Sequence, residues 1–238
     1  MTTLRFVASA LPLVIVALPV SGPASRADRY DSAPSRYVLA SVRASTEAEE
    51  AALALTAAPT SITDGAAVFV MRDGQFVKVR DGSTGWACMV ERDARVNGVA
   101  PMCYDPQGAR TWMQESMLRT QLEARKLSNT AVQRELDAAY ERGTLQHPKT
   151  SSMMYMMSSH QVLTTSDGDK LQVIGAWHPH IMIYLPHATA DQFALGAQKQ
   201  AGPVSVPFGD AGGVQIVIEV AHWADSPAMA DATSGSSR

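Results

Sequence analysis

Two cysteines, Cys88 and Cys103, place the strongest constraint on how this chain can fold. They are 15 residues apart, and the turn dipeptide Asn97-Gly98 lies between them, so a chain that reverses there brings the two sulfurs together. An even number of cysteines is typical of a disulfide in an oxidising compartment, where a loop of this length stabilises the fold by about 3 kcal/mol. We therefore predict a Cys88–Cys103 disulfide. Two free core thiols, or half of a metal site, are the alternatives.

The N-terminal residues have the pattern of a secretory signal peptide. Arg5 is the only charged residue before the apolar run from Ala8 to Val20, and this run is too short to cross the ~30 Å hydrocarbon core of a membrane as a helix. Small residues then provide cleavage points after Ala24 or Ala27. We therefore predict that residues 1–27 are removed and that the protein is periplasmic or secreted. A retained membrane anchor is the alternative.

Composition and charge exclude several classes of protein. Hydrophobic residues make up 46% of the chain and charged residues 18%, which is typical of a folded globular protein rather than a disordered or fibrous one. The formal net charge is −3, and removal of residues 1–27 takes away two arginines and no acidic residue. Because an acidic chain is a poor match to phosphate backbones, we expect no nucleic-acid partner. We also expect no transmembrane span in the mature chain.

Changes in composition along the chain predict its domain organisation. Residues 28–45 are rich in Ser and Arg without a clear period, which indicates a loose N-terminal segment. Thr46 is a good helix N-cap, and Pro59 would end the helix that follows it. Residues 226–238 are rich in Ser, Ala and Gly, which predicts a disordered tail. We therefore expect a single domain over residues 46–225.

Runs of β-forming residues predict an antiparallel sheet. Asp73-Gly74, a strong hairpin signal, separates the runs Ala67–Met71 and Phe76–Arg80. The first run is apolar on both faces, so we expect it to be a central strand. Trp86–Val90 predicts a third strand. Further runs predict strands in the last third of the chain: Met153–Met157, Ile181–Leu185 and Val214–Val220.

Two helices are predicted between these groups of strands. The segment from Gly108 to Arg125 has no internal Gly or Pro and carries an apolar face. Ser128 is a suitable N-cap for a second helix, which Gly143 would end. The sequence therefore predicts an α+β fold in which an antiparallel sheet of about five to seven strands packs one face against the helical pair.

Three sequence elements resemble those of a group of uncharacterised exported bacterial proteins. That group carries an aromatic-x-Cys element, a Pro-x-Cys-x-Asp element, a helical pair and a Pro-His-x-Met-x-Tyr-x-Pro strand. The corresponding residues here are Trp86 to Cys88, Pro101 to Asp105 and Pro179 to Pro186. The resemblance covers about residues 46–225. It implies a common domain, and it says nothing about a substrate.

Histidines provide the first candidate site. On a strand, His178 and His180 would point to the same face and could bind one metal, with His187 just past the strand and His160 as further ligands. Such a set would suit Zn or Cu. Pro179 lies between the pair, however, and no established metal motif is matched. The alternative is a buried His180 that makes a backbone hydrogen bond, with His178 at the surface.

Four methionines around Tyr155 provide a second candidate, because thioether sulfurs are soft ligands for copper. Residues that alternate along a strand point to opposite faces, so only some of Met153, Met154, Met156 and Met157 could share a site. Methionine also fills irregular cores. We therefore expect these residues to serve mainly in core packing.

A third candidate site follows the strand from His180 to Leu185. Alternation puts His180, Met182 and Tyr184 on one face and the aliphatic residues on the other. We expect the aliphatic face to meet the helices and the His/Met/Tyr face to look away from the core, where it could bind a ligand. The alternative is that another segment covers this face and that His180 and Tyr184 find their hydrogen-bond partners within the protein. Asp105 is a possible acid or base beside it, although an Asp before Pro106 more often makes a turn into a helix.

No recognisable catalytic constellation is present in the sequence. The leading hypothesis is therefore a non-catalytic exported domain that binds a small ligand or an envelope protein, with no cofactor. A Zn- or Cu-binding periplasmic protein that uses His178 and His180 is the alternative, and a hydrolase is third.

Overall fold

A computed structural model provides the structure of the protein, and it describes part of the chain. The described residues are 46–93, 98–167, 170–175, 178–189, 191–193, 200–201, 204–205 and 213–226. All of them belong to one compact unit of the chain. The predicted signal peptide, the N-terminal segment, the tail beyond Ser226 and Asn97 of the predicted turn lie outside the described residues.

Five α-helices are present in the described residues. They are α1 (Glu47–Ala54), α2 (Thr60–Thr63), α3 (Pro106–Arg110), α4 (Trp112–Ala124) and α5 (Asn129–Glu141). Short 3₁₀ turns occur at Leu55–Ala57 and Asp191–Phe193. No helix within the described ranges has the length and apolar character needed to cross a membrane.

Local signals define the start of α1 and both ends of α5. The Thr46 hydroxyl accepts from the Glu49 N–H at 3.2 Å while the Glu49 carboxylate accepts from the Thr46 N–H at 3.0 Å, which is a capping box. Ser128 accepts from the Ala131 N–H at 3.3 Å, and Gly143 follows α5 with a φ of 72°. These features confirm the predicted start of α1 and both predicted ends of α5, whereas α1 ends at Ala54 rather than at Pro59.

A single helix from Gly108 to Arg125 was the wrong prediction, because the segment is broken at Thr111. This residue has φ −126° and ψ −87°, which no helix accommodates, and its hydroxyl donates to the Gln107 carbonyl at 2.8 Å. The segment Pro106–Arg110 contacts the strand Ser152–Met156, whereas Trp112–Ala124 contacts the strand Ala87–Asp93. The break also places Trp112 at the first position of α4.

Eleven strands in the described residues form one connected sheet. They are β1 (Ala67–Arg72), β2 (Gln75–Arg80), β3 (Ala87–Asp93), β4 (Gly98–Tyr104), β5 (Ser152–Met156), β6 (Val162–Asp167), β7 (Lys170–Gly175), β8 (His180–Leu185), β9 (Gln200–Ala201), β10 (Val204–Ser205) and β11 (Val214–Glu219). Seven longer strands lie side by side in the order β2-β1-β3-β4-β5-β8-β11. The two-residue strands β10 and β9 extend one edge, and the β6–β7 hairpin branches from β4.

Pairing in this sheet is mostly antiparallel, and only β1 and β3 run parallel. Asp73 and Gly74 have φ values of 48° and 76°, so both adopt the left-handed conformation that a tight hairpin turn requires. Strand β1 lies between β2 and β3. The predicted α+β class, the first hairpin and the central position of its first strand are confirmed.

A disulfide joins Cys88 of β3 to Cys103 of β4, as predicted. The two residues are direct cross-strand partners with a Cα–Cα distance of 4.1 Å. Both side chains are fully buried. The bridge therefore holds together two neighbouring strands in the middle of the sheet.

Different helices cover the two faces of the sheet. Val68, Val90 and Cys103 pack in one cluster with residues of α1 and the following 3₁₀ turn. The opposite face packs in a second cluster with Trp112, Met113 and Met117 of α4.

The prediction of a helical pair packed on the sheet is not confirmed for α5. Its apolar residues, such as Leu136, form a third cluster with Leu122 near the end of α4, apart from the sheet residues. Helix α4 is thus the element that forms the second layer over this face.

Candidate functional site

A cavity of about 140 Å³ lies between α4 and four neighbouring strands, β3, β4, β5 and β8. Six of its lining residues contribute aromatic rings and thioethers: Met102, Tyr104, Trp112, Met154, Met182 and Tyr184. Four others contribute polar and charged groups: Glu91, Glu115, Ser116 and Arg119. Apolar cavities of about 150 Å³ accept molecules as large as benzene, so this space is the size of a small organic ligand.

Secondary-structure spacing brings these residues together. Tyr104 and Tyr184 each lie two positions after a lining methionine on their strands, and such residues share one face of a sheet. On α4 the lining positions are 112, 115, 116 and 119, the spacing of one helix face. The broken helix start at Thr111 places Trp112 at the end of this face.

Hydrogen bonds to sulfur join several of the residues that line the cavity. The Tyr104 hydroxyl lies 3.2 Å from both Met102 Sδ and Ser116 Oγ. Gln215 Nε2 donates to Met182 Sδ at 2.7 Å, and the Tyr184 hydroxyl lies 3.8 Å from the same sulfur. These contacts hold the thioethers in place, although methionine side chains are otherwise adaptable.

Two of the aromatic rings that line the cavity are in contact with each other. The ring centroids of Trp112 and Tyr184 are 5.0 Å apart with their planes tilted by 33°. Burial, and then the nearby Glu91 carboxylate, raises the pKa of both Tyr104 and Tyr184 well above its usual value. Both phenols therefore remain neutral in any ordinary buffer.

An ion pair on α4 contributes charged groups to the cavity lining. Arg119 Nη2 donates to Glu115 Oε1 at 3.1 Å, one helical turn away, and both side chains are largely buried. The Tyr140 hydroxyl of α5 donates to Glu115 Oε2 at 2.7 Å. Burial, followed by the Glu115 charge, raises the pKa of Tyr140. Helix α5 thus helps to hold the Glu115 carboxylate in place at the cavity.

The predicted face of β8 exists, but its direction was wrong. His180, Met182 and Tyr184 do share a face, and all three are buried, whereas Ile181 and Ile183 are only half-buried. The buried face is the one that meets α4, because Tyr184 packs on Trp112. Met182 and Tyr184 therefore line the cavity, while His180 does not.

His180 matches the alternative considered for it, a buried histidine with a backbone hydrogen bond. Its Nδ1 lies 2.6 Å from the His178 carbonyl oxygen. Burial lowers the pKa of His180 below its usual value, and the His178 backbone hydrogen bond opposes this only in part. The half-buried His178 also accepts from Gln161 Nε2 at 2.9 Å through its carbonyl.

The remaining histidines of the predicted metal set make separate contacts. His160 Nε2 lies 3.4 Å from Asp225 Oδ2, and His187 Nε2 lies 2.8 Å from the Lys149 carbonyl oxygen. In the part of the chain that the structure describes, no group of three or more His, Cys, Asp or Glu residues is placed to hold a metal ion. The structure thus does not assemble the four predicted histidines into a Zn or Cu site.

Asp105 begins a helix rather than lining the cavity. Its Oδ1 accepts from the Gly108 N–H at 2.6 Å at the start of α3. Burial raises the pKa of Asp105, and the backbone hydrogen bonds oppose that shift. This is the turn-forming role that the sequence analysis gave as the alternative to acid–base chemistry.

Alternation along β5 divides the methionine run between the two faces of the sheet. Met154 and Met156 are buried on the face that meets α4, and Met153 is half-buried on the other face. Only Met154 of this run lines the cavity. The expected role in core packing is confirmed for Met154 and Met156.

Most cavity residues were missed at the sequence level. The sequence prediction considered only the apolar residues of the helix. It therefore did not include Glu115, Ser116 and Arg119, which share a side of the helix with Trp112. The spacing i, i+3, i+4, i+7 was the signal that could have found them. Glu91 had no such signal, because its position depends on the pairing of β3 with β4.

Comparison with known proteins gives no relative for this chain. No family model matches it, and neither a curated protein nor a solved structure matches it.

Proposed function

We propose that this is an exported bacterial domain that binds a small ligand in the cavity under α4, without catalysing a reaction. The single observation that carries the proposal is the cavity itself. It combines aromatic and thioether lining residues with a few polar and charged groups, the usual composition of a small-molecule site.

Export is supported by two features. The first is the signal-peptide pattern of residues 1–27. The second is the buried Cys88–Cys103 disulfide, which is compatible with an oxidising compartment. The resemblance to exported bacterial proteins agrees with both.

Binding rather than hydrolysis is supported by the partners of Ser116. Its Oγ pairs with the Tyr104 hydroxyl at 3.2 Å, and the pKa of this phenol is raised by burial and by Glu91. A neutral phenol is a poor base for activating a serine, because it retains its own proton. This arrangement favours recognition of a ligand over attack on one.

A cavity-filling variant tests the proposal. Neutral, cationic and anionic molecules of benzene size or smaller are screened by thermal shift with the mature protein and with Ser116→Leu, which puts a branched side chain into the cavity wall. We expect at least one compound to raise the Tm of the wild type, since a ligand at roughly a hundredfold excess over Kd stabilises by about 2.7 kcal/mol. We expect Ser116→Leu to lose that shift.

Gln114→Leu is the matched control, because it makes an equally apolar change at an exposed position of α4. It should keep the ligand-induced shift. If no compound raises the Tm of the wild type, or if Ser116→Leu retains the shift in full, the cavity is a packing defect and the proposed function is wrong.

A further inference from the structure

Arg119 is the basic side chain of the cavity lining, and it is only 9% exposed. A guanidinium carries five N–H donors and no acceptor. Among the described residues, Arg119 has one hydrogen-bond acceptor, Glu115 Oε1, which lies 3.1 Å from Nη2. Because a buried donor without an acceptor is unfavourable, a molecule that offers an acceptor beside Arg119 would be stabilised there.

The positive charge of Arg119 is already matched by Glu115. Both oxygens of this carboxylate are in use, because Oε1 accepts from Arg119 and Oε2 accepts from the Tyr140 hydroxyl at 2.7 Å. A ligand carboxylate would be a second anion on one largely buried guanidinium, so the loss of its hydration would be poorly compensated. Building on the proposed function, we infer that the ligand is a small uncharged aromatic molecule with an oxygen that accepts from Arg119.

The apolar lining residues favour an aromatic ring over a saturated one. Trp112, Tyr104 and Tyr184 all line the cavity. Aromatic rings attract one another in offset-stacked and edge-to-face arrangements, beyond what buried area alone provides. The thioethers of Met102 and Met182 add sulfur–aromatic contacts, which a saturated ring cannot make. An aromatic ligand thus gains contacts here that an equally large aliphatic ligand lacks.

The size of the cavity limits the ligand to a single ring. Its volume of about 140 Å³ is close to that of an apolar cavity that holds benzene. Arg119 offers donors only, so the ligand must bring the acceptor. A six-membered aromatic ring with one exocyclic oxygen satisfies both conditions. Pyridine N-oxide is a compact, uncharged molecule of this kind, because its oxygen accepts hydrogen bonds and carries no proton.

Four probes test the inference. Pyridine N-oxide is the uncharged aromatic acceptor, N-methylpyridinium is a cation of the same shape without an acceptor, benzoate is an anionic acceptor, and N-methylpiperidine N-oxide is a saturated acceptor. Each is titrated into the protein while the ¹³C-methyl resonances of its methionines are followed by NMR, with assignments from single Met→Leu variants. We expect pyridine N-oxide to shift the Met102, Met154 and Met182 resonances saturably. It should bind more tightly than each of the other three, by about tenfold over N-methylpyridinium.

Arg119→Met removes the donors and keeps a long side chain, and Arg134→Met is its control, since Arg134 is an exposed arginine on α5. Toluene has no acceptor and reports on the cavity itself. We expect Arg119→Met to weaken pyridine N-oxide binding by about tenfold and to leave toluene binding unchanged. Arg134→Met should leave both unchanged. If Arg119→Met does not fold, Arg119→Lys takes its place with the same expectation, because it keeps a positive charge opposite Glu115 but lacks the planar fork of donors.

Each contrary outcome has a definite meaning. Equal or tighter binding of N-methylpyridinium, benzoate or the saturated N-oxide overturns the inference while leaving a ligand site in place. An unchanged pyridine N-oxide affinity in the Arg119 variant also overturns it, as does an equal loss of toluene binding in that variant. The absence of any response to pyridine N-oxide in the wild type overturns it as well. The proposed function itself fails only in the wider compound screen with Ser116→Leu, so the two failures are distinguishable.

Discussion

Burial controls the protonation of His180. The folded protein lowers the pKa of this side chain below 6.5, whereas an unfolded chain leaves it near that value. As the pH falls below about 6.5, the unfolded state therefore takes up a proton that the folded state resists. The free energy of unfolding consequently decreases as the pH falls below the pKa of the histidine in the unfolded chain. Above that pKa, the contribution of the buried His180 is fully retained.

His180→Gln should remove this pH dependence. We expect wild-type stability to fall between pH 7.5 and pH 5.5 more steeply than that of the variant, by up to about 1.4 kcal/mol per pH unit. Urea denaturation at several pH values measures the difference. His222→Gln changes an exposed histidine and should retain the wild-type slope. Parallel curves for wild type and His180→Gln would contradict the role of buried His180.

Single residues could be assigned to a strand face from sequence, but the environment of that face could not. The two-residue period correctly grouped His180, Met182 and Tyr184. Their direction depends on α4, whose Trp112 provides the surface against which Tyr184 packs. The aliphatic residues of β8 were expected to form the core side of the strand. Instead, the face that carries Tyr184 is turned toward the helix, where Tyr184 contacts the Trp112 ring.

Elements with local signals were predictable, and the break between α3 and α4 was not. The capping residue Thr46 and the turn Asp73-Gly74 act within a few residues, so their effects can be recognised directly in the chain. Thr111 carries no Gly- or Pro-like signal, and its non-helical conformation accompanies the packing of α3 on β5 and of α4 on β3. A helix-compatible sequence was thus overridden by packing.

The β3–β4 pair depends on its disulfide. Replacing Cys88 and Cys103 together with Ala should lower the free energy of unfolding by about 3 kcal/mol, because the unfolded chain loses the constraint of a 15-residue loop. Urea denaturation in the absence of reductant measures this change. In addition, wild-type protein that is unfolded and refolded in the presence of a reductant should be less stable than the oxidised wild type. The same treatment should have no effect on the double variant. Equal stability of wild type and double variant would contradict a stabilising bridge.

At the scale of the whole molecule, the cavity is a product of topology. Its residues extend from Glu91 to Tyr184, and they meet because β5 pairs with β8 while the β6–β7 hairpin branches away from β4. No local pattern in the sequence encodes that pairing. The fold class, the disulfide and most strands were therefore predictable, whereas the candidate site required the order of the strands.

A crystal structure of the protein with the compound that raises its Tm most tests the central claim most directly. The predicted result is electron density for that compound between α4 and the sheet, beside Trp112, Tyr104 and the thioether of Met182. A cavity without such density at a saturating concentration, or density only elsewhere on the protein, would contradict a ligand site under α4.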